Sequence, residues 1–354
     1  MSELHHFEAP PENIVRLDDS EAGLDGYIVV HSSRLGPAAG GCRLWSYDSS
    51  QEALEDALRL ARGMAFKNAL AGLPLGGGKA VLRRPKGDID RPALFRAFAR
   101  AVEKLGGEYV TAEDVGTSVE DMMWVRQHTR YVAGLSPREN APGGDPSPWT
   151  ARGVFEAMRV ATRLHLGKEL GDVTVAVQGL GHVGYALCAL LHAAGARLTV
   201  AERHADVAAR AAAAFGAQVV GCDRITSAKV DMFAPCALGH VLTPEVVAHL
   251  HAKVVCGAAN NQLSGDHVAV LLERRGIFYA PDFVVNAGGI INVAGEYLGW
   301  PQSEVEAKIT MIGPRLERLL TLSAANGEPP ADTAVRTAAE IIQEGSHRSW
   351  KCVA

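Results

Sequence analysis

Val173-Thr-Val-Ala-Val-Gln-Gly-Leu-Gly-His-Val-Gly-Tyr185 decides the fold of half of this chain. Residues 173–177, apolar and rich in valine, read as a buried strand. The strand gives way to Gly179-Leu180-Gly181-His182-Val183-Gly184, and residues 185–194 have the composition of a helix. Each glycine has its own use: Gly179 allows a tight turn, Gly181 lets the backbone approach a pyrophosphate, and Gly184 lets helix and strand pack closely. The helix N-terminus adds amide donors and the positive end of its dipole. The next apolar run, residues 197–201, ends at Glu202, eighteen residues after Gly184. A carboxylate there can bond both ribose hydroxyls of a dinucleotide and repels a 2′-phosphate, which favours NAD over NADP. Arg203 and His204 follow at once and are placed to soften that preference.

Around this unit, short apolar strands at 232–234 and 253–256 alternate with alanine-rich helix such as 208–214, the pattern of βαβ units and a parallel sheet. Upstream, residues 27–31 read as a strand and 51–70 as a helix, with Leu54, Ala57, Leu58, Ala61, Met64 and Ala65 at helical spacing. Residues 79–83 form a short strand after a glycine turn, and a helix over 92–105 ends at Gly106-Gly107. A strand at 108–112 precedes Thr117-Ser-Val-Glu120, which has the form of a capping box for a helix running to about residue 128. The Pro- and Gly-rich residues 134–147 are the clearest linker, after which Ser147 and Pro148 suit the start of a helix to about residue 166. A late amphipathic section, 303–323, contains Gly313-Pro314, where a kink or break is expected.

Composition narrows the function class. A chain of 354 residues has room for roughly two domains and a large core. A formal charge of −5 argues against nucleic acid or an anionic membrane as partner. No apolar run nears the roughly 20 residues needed to span a bilayer, and the N-terminus has no signal-peptide pattern. The six cysteines form no CxxC pair and sit among apolar neighbours, as buried free thiols of the cytoplasm do. Thirteen histidines are scattered without zinc-site spacing; His5-His6 is the one adjacent pair, and no functional metal is expected.

Three charged residues stand in apolar, glycine-rich surroundings. Lys67 and Lys79 lie in Met64-Ala-Phe-Lys-Asn-Ala-Leu-Ala-Gly-Leu-Pro-Leu-Gly-Gly-Gly-Lys79, and Asp114 in Thr111-Ala-Glu-Asp-Val-Gly-Thr117. Lys79 follows three glycines, where backbone can come close to a ligand. A phosphate-loop reading fails, because Leu73 stands where a glycine is required and Ala80 where Ser or Thr is required. Asp114 sits where a strand gives way to a helix, a common place for a catalytic side chain. Taken singly, each has an ordinary structural explanation; together, cations and a carboxylate beside a redox cofactor suit oxidation of a small zwitterion.

These segments resemble the Glu/Leu/Phe/Val dehydrogenases, closest to the leucine dehydrogenase branch. Also similar, in the family's order, are Gly36-Pro-Ala-Ala-Gly-Gly41-Cys-Arg, Ala112-Glu-Asp-Val-Gly116, Ser147-Pro-Trp-Thr-Ala151, Gly257-Ala-Ala-Asn-Asn-Gln262 and Asn286-Ala-Gly-Gly-Ile-Ile-Asn-Val293. The resemblance implies an α/β fold of two domains with a cleft between them. Residues 1–134 would bind substrate and form the oligomer, joined by the C-terminal segment 326–354, and 135–325 would be the NAD-binding Rossmann domain. It further implies that Lys67, with amides around Gly40 and Gly41, holds a substrate α-carboxylate. Lys79 would act as base toward the water that adds to an imine carbon, and Asp114 would move protons at the α-amine. Thr150 would contact the nicotinamide carboxamide, Asn260 the cofactor and Asn261 the substrate. The partners implied are an amino acid, its 2-oxo acid and ammonia, in a homo-oligomer whose domains close about the 134–147 linker.

Glutamate enzymes of the family carry polar residues at the positions of Ala39 and Val293. Here Ala39, Ala112, Ile290 and Val293 should line an apolar pocket, so a branched aliphatic L-amino acid is favoured and phenylalanine is second. Gly40-Gly-Cys42-Arg also occurs in phenylalanine dehydrogenases, and Ala39 leaves room. Gly313-Pro314 and Gly295-Glu-Tyr depart from the usual pattern. A non-catalytic sensor of NAD and an amino acid is the alternative of a different class; it needs a carboxylate grip but neither base nor proton carrier.

Overall fold

The computed structural model describes residues 9–136, 141–237, 239–265 and 267–346; His5-His6 and Cys352 lie outside them. The chain divides into two compact units. One comprises Met1–Pro146, Ile290–Val305 and Arg336–Val353, the other Ser147–Gly289 and Glu306–Val335. The linker thus goes with the first unit, and two later segments rejoin that unit where a single return at 326–354 is expected from sequence. Glu296 explains part of the difference: its carboxylate accepts from the backbone N–H groups of Gly134 (2.7 Å) and Leu135 (3.0 Å). Gly295 is held to the same task, since a Cβ there would lie 2.3 Å from Val305 Cγ2.

The first unit is built on a five-stranded sheet in the order β1-β2-β4-β3-β5. Its strands are β1 (Asn13–Asp19), β2 (Leu24–Ser32), β3 (Ala38–Trp45), β4 (Gly76–Arg83) and β5 (Tyr109–Glu113). One face carries Ile28, Val30, Cys42, Leu44, Ala80 and Leu82. They pack on Leu94, Phe95, Phe98 and Val102 of α2 (Arg91–Lys104) and Met122 and Val125 of α3 (Val119–Arg126). The other face is covered by α1 (Ser50–Leu70), whose Ala53, Ala57 and Ala61 lie against Val29 and Val81. Alanines four apart make a flat stripe that lets helix and sheet approach closely.

That approach corrects the sequence reading of Gly76-Gly77-Gly78. These residues are strand, not turn: a Cβ at Gly77 would fall 2.1 Å from Ala65 N of α1, and one at Gly76 2.0 Å from Ser32 O. Two strands, β1 and β3, are absent from that reading, and each is masked for a reason. β3 is buried on both faces, so its residues do not alternate in polarity, and Gly40-Gly41 resembles a turn. β1 is a polar edge strand. The capping box shifts by one residue, to Ser118 with Asp121, because Thr117 Oγ1 is already engaged with Asp114 N–H (2.9 Å).

In the second unit six parallel strands lie in the order β11-β10-β9-β6-β7-β8. They are β6 (Thr174–Gln178), β7 (Arg197–Ala201), β8 (Gln218–Val219), β9 (Met232–Pro235), β10 (Val254–Val255) and β11 (Phe278–Tyr279). Starting at β6 the chain builds outward through β7 and β8, then returns to pair β9 on the other side of β6. This is the doubly wound Rossmann order, with its reversal beside the first strand. Between strands run α5 (His182–Ala193), α6 (Ala205–Phe215), α7 (Pro244–His249) and α8 (His267–Arg274), and α4 (Ser147–Leu166) leads in. After α9 (Asp282–Val285) and α10 (Gly288–Leu298), the late section breaks at Met311, between α11 (Gln302–Thr310) and α12 (Ile312–Asn326). Pro314 therefore sits in the first turn of α12, where its missing N–H costs no helical bond. A last helix, α13, spans Pro330–Glu344.

The five described cysteines are free thiols, and Cys42, Cys188 and Cys256 are buried. Among the described residues no helix is long and apolar enough to cross a membrane.

Candidate active site

Register brings the charged residues of the first unit together. Cys42 of β3 pairs with Ala80 of β4 on one side and Glu113 of β5 on the other. Side chains alternate along a strand, so Gly41, Arg43 and Lys79 share the face opposite Cys42, the one covered by α1. Asp114 follows β5 directly. It is held by a turn in which Thr117 N–H donates to Asp114 O (3.0 Å) and Asp114 N–H to Thr117 Oγ1 (2.9 Å). Gly116 completes the turn at φ +82°, and a Cβ there would lie 1.9 Å from Leu44 O.

Lys79 Nζ stands 2.9 Å from Asp114 Oδ2. The lysine is 4% exposed, and the aspartate side chain keeps 22% of its surface. Arg43, which the sequence reading passes over, makes a second pair to the same oxygen through Nε (3.2 Å). Burial by itself raises the Asp114 carboxyl, but the Lys79 and Arg43 cations outweigh it and hold the group below its ordinary value. Asp114 is therefore a carboxylate at neutral pH. Burial drives the neighbouring Cys42 thiol well above its usual range, so it is no nucleophile.

Beside the pair, glycine is a steric requirement. A Cβ at Gly40 would lie 1.9 Å from Gly78 O, and one at Gly41 2.6 Å from Glu113 O and 2.7 Å from Asp114 Cβ. Tyr109 donates its hydroxyl to Gly40 O (2.5 Å), and the buried Asn68 donates to Gly76 O (2.5 Å) and Ala39 O (3.4 Å), fixing this backbone. Lys67 lies one residue before Asn68 in the last turn of α1, part-exposed.

Of the expected apolar wall, Ala112 and Val293 are buried in one cluster, with Ile290 packed against it. That cluster also contains Ala133 and is flanked by Tyr297, neither singled out from sequence. Ala39 is buried (2% exposed) on the Gly41 face of β3 but lies outside that cluster.

The expected cofactor residues fall in the second unit. Gly179 has φ +90°, and a Cβ there would sit 2.9 Å from Ala237 N. A Cβ at Gly184 would lie 2.0 Å from Gly179 O, so only glycine lets the helix seat on the turn. At Gly181, the N-cap of α5, a Cβ would meet nothing within 4 Å, and no side chain caps the helix. Leu180 is buried, while Val183 is half-buried and His182 exposed. Glu202 accepts from Leu180 N–H (2.8 Å), Arg203 N–H (2.7 Å) and His204 N–H (3.1 Å). Partial burial raises the Glu202 carboxyl, but these three donors outweigh that and keep it below its ordinary value. A bare helix N-terminus over an open glycine, with a fixed carboxylate at the end of the next strand, fits the pyrophosphate and ribose of a dinucleotide. Asn260 is exposed and accepts from Asn286 Nδ2 (2.8 Å), Asn261 takes φ +52°, and Thr150 stands in the first turn of α4.

Comparison with known proteins agrees with both halves. Residues 11–131 match the profile described as "Glu/Leu/Phe/Val dehydrogenase, dimerisation domain", and residues 197–344 that of "Glutamate/Leucine/Phenylalanine/Valine dehydrogenase". A leucine dehydrogenase of Thermoactinomyces intermedius is 46% identical over 94% of this chain and 91% of its own length. A valine dehydrogenase of Streptomyces albus is 43% identical over 98% of this chain and 96% of its own. Among solved structures, L-tryptophan dehydrogenase from Nostoc punctiforme superimposes with a TM-score of 0.82 at 34% identity, covering 97% of this chain and 98% of the other.

Proposed function

Because the chain belongs to the Glu/Leu/Phe/Val dehydrogenase family, we propose that it oxidatively deaminates an apolar L-amino acid with NAD, preferring branched aliphatic side chains. The observation that carries this reading is the buried Lys79–Asp114 pair, 2.9 Å apart, beside the tight Gly40–Gly41 backbone and the Ala112–Ala133–Val293 cluster. A sensor has no need of such a pair.

The residues divide the chemistry as follows. Lys67 and the amides around Gly40 and Gly41 hold the α-carboxylate. Asp114, kept ionised by its two cations, takes a proton from the α-ammonium so that the nitrogen lone pair can assist loss of hydride from Cα. Bound NAD supplies the hydride acceptor. Lys79, once it has given up its own proton, acts as a neutral amine that removes a proton from the water adding to the iminium carbon and so becomes an ammonium again. Asp114 returns a proton to nitrogen, and as the carbinolamine collapses the leaving ammonia takes up the proton that the hydroxyl gives up, so that a 2-oxo acid and an ammonium ion result. The cationic forms of Lys67 and Lys79 stabilise the carboxylate and the oxygen charge that develops. Gly179–Gly184 would cradle the pyrophosphate, Glu202 the adenosine ribose, and Thr150 and Asn260 the nicotinamide end. The Glu202 carboxylate disfavours a 2′-phosphate, which supports NAD over NADP. Asn261 would reach the substrate.

Two of the three buried members of the apolar cluster, Ala112 and Ala133, are small, and this favours an aromatic substrate as the second reading. A homo-oligomer of the cytoplasm is in keeping with the dimerisation-domain profile and the reduced thiols.

The experiment is NADH formation by purified protein with L-leucine, L-valine, L-isoleucine, L-phenylalanine and L-tryptophan at mildly alkaline pH, with NADP in parallel. Turnover is expected with NAD and the branched aliphatic members first. The ratio among apolar substrates should stay within about 10–200-fold, since a methylene or ring changes pocket binding by roughly 1–3 kcal/mol. No turnover with any of them would leave the sensor.

A further inference from the structure

The proposed mechanism uses Lys79 and Asp114 but leaves unexplained why Asp114 has a second cation. Arg43 is a fork between two carboxylates. Its Nε pairs with Asp114 Oδ2 (3.2 Å) and its Nη1 with Asp56 Oδ2 of α1 (2.9 Å). Arg43 and Asp56 keep only 18% and 15% of their side-chain surface. Asp56 is itself fixed: the Tyr47 hydroxyl donates to the same Oδ2 (2.6 Å), and Arg59 pairs with Oδ1 (2.5 Å). A relay thus runs from helix α1 through Asp56 and Arg43 to Asp114 and ends on Lys79.

We propose that Arg43 is a positioning residue for the reaction: anchored by Asp56 and Tyr47, it shares Asp114 Oδ2 with Lys79 and thereby turns the other carboxylate oxygen, Oδ1, toward the substrate amine. The inference rests on the proposed roles of Asp114 and Lys79. Geometry favours it over a purely structural ion pair. A planar guanidinium satisfied at both ends cannot swing, so it fixes the plane of the carboxylate it holds. With Lys79 as sole partner, Asp114 would be free to rotate about a single point charge. Charge bookkeeping points the same way. Losing a proton from Lys79 leaves an Asp114–Arg43 pair rather than a solitary buried carboxylate, which is costly.

The titratable and charged groups around Asp114 come from several elements: Lys79 on β4, Arg43 on β3, Asp56 and Arg59 on α1, and Tyr47 after β3. The Cys42 thiol and the Tyr109 hydroxyl are held neutral by burial. Beyond Cys42 lies the Arg91–Asp121 pair (2.5 Å). Of these, Lys79 and Arg43 hold Asp114 ionised, so loss of Arg43 raises the carboxyl and moves the acid-side limb of the kcat/KM profile to higher pH.

The test compares Arg43→Gln, Arg43→Lys and Asp114→Asn with the parent full-length enzyme, using L-leucine and NAD across pH. For folded Arg43→Gln we expect kcat to fall by about 10- to 100-fold, with KM for NAD unchanged and the acid limb shifted upward. Arg43→Lys restores the charge but not the fork, so its limb should return to the parent position while kcat stays several-fold low. Parent kcat and an unmoved limb in Arg43→Gln would overturn the proposal, as would a fall in kcat with the limb unmoved. Should Arg43→Gln fail to fold, Arg43→Lys decides, and parent behaviour there overturns it. Full turnover by Asp114→Asn, or none by the parent enzyme, would instead defeat the functional reading beneath it.

Discussion

Lys79→Ala is expected to lower kcat for L-leucine by about 10³-fold or more while NAD affinity stays near that of the parent enzyme. Two losses add. The water that attacks the iminium carbon no longer has a base, a contribution of roughly 10²–10⁴-fold. The cation facing the developing carbinolamine oxygen also disappears, and removing one such stabilising group typically costs about 10²–10³-fold. The effects overlap because one side chain serves both, as amine toward the water and as ammonium toward the oxygen, so the sum is not their product. The residues proposed to hold NAD, Gly179–Gly184 and Glu202, belong to the other compact unit, where Glu202 accepts from Leu180 N–H. Steady-state NADH formation and calorimetric titration with NAD separate the two readouts. Full turnover by Lys79→Ala would remove the mechanism.

L-Glutamate should be rejected relative to L-leucine by about 10³-fold in kcat/KM, because an ionised carboxylate buried without a partner costs several kcal/mol. The wall formed by Ala112, Ala133 and Val293 offers it no cation and, beyond the hydroxyl of the flanking Tyr297, no side-chain donor. Methyl groups can neither hydrogen-bond the γ-carboxylate nor neutralise it. Kinetics with both substrates at one pH make the comparison; glutamate turnover within tenfold of leucine would mean that a donor reaches the side chain from elsewhere.

How far the sequence discloses all this depends on what kind of information each feature carries. The glycine-rich turn after β6 is legible because its glycines answer local demands: a positive φ at Gly179 and a Cβ-free contact of Gly184 with Gly179 O. Both are encoded within a few residues. Gly76-Gly77-Gly78 misleads for the opposite reason. Glycine there answers a neighbour distant in sequence, Ser32 O at Gly76 and Ala65 of α1 at Gly77, and a local reading can only take a run of glycines as a turn. β3 is hidden similarly, since burial on both faces erases polarity alternation. Ser118 displaces Thr117 as the helix cap because Thr117 is drawn into the turn that aims Asp114, a competition settled by tertiary contacts. Lys79 and Asp114 stand out by their apolar surroundings, yet nothing local states that they touch. Arg43 is passed over because an arginine next to a glycine pair is unremarkable until register sets Asp56 on one side and Asp114 on the other. Ala133 and Tyr297 have no distinguishing chemistry and join the apolar wall only through packing.

The most direct test of the central claim is a single turnover of the purified protein with NAD and L-leucine deuterated at Cα. We expect NADH carrying that deuterium at C4 of the nicotinamide, with one ammonia and one 2-oxo acid released for each NADH. Absence of NADH, or NADH without the label, would contradict hydride transfer from the amino-acid Cα.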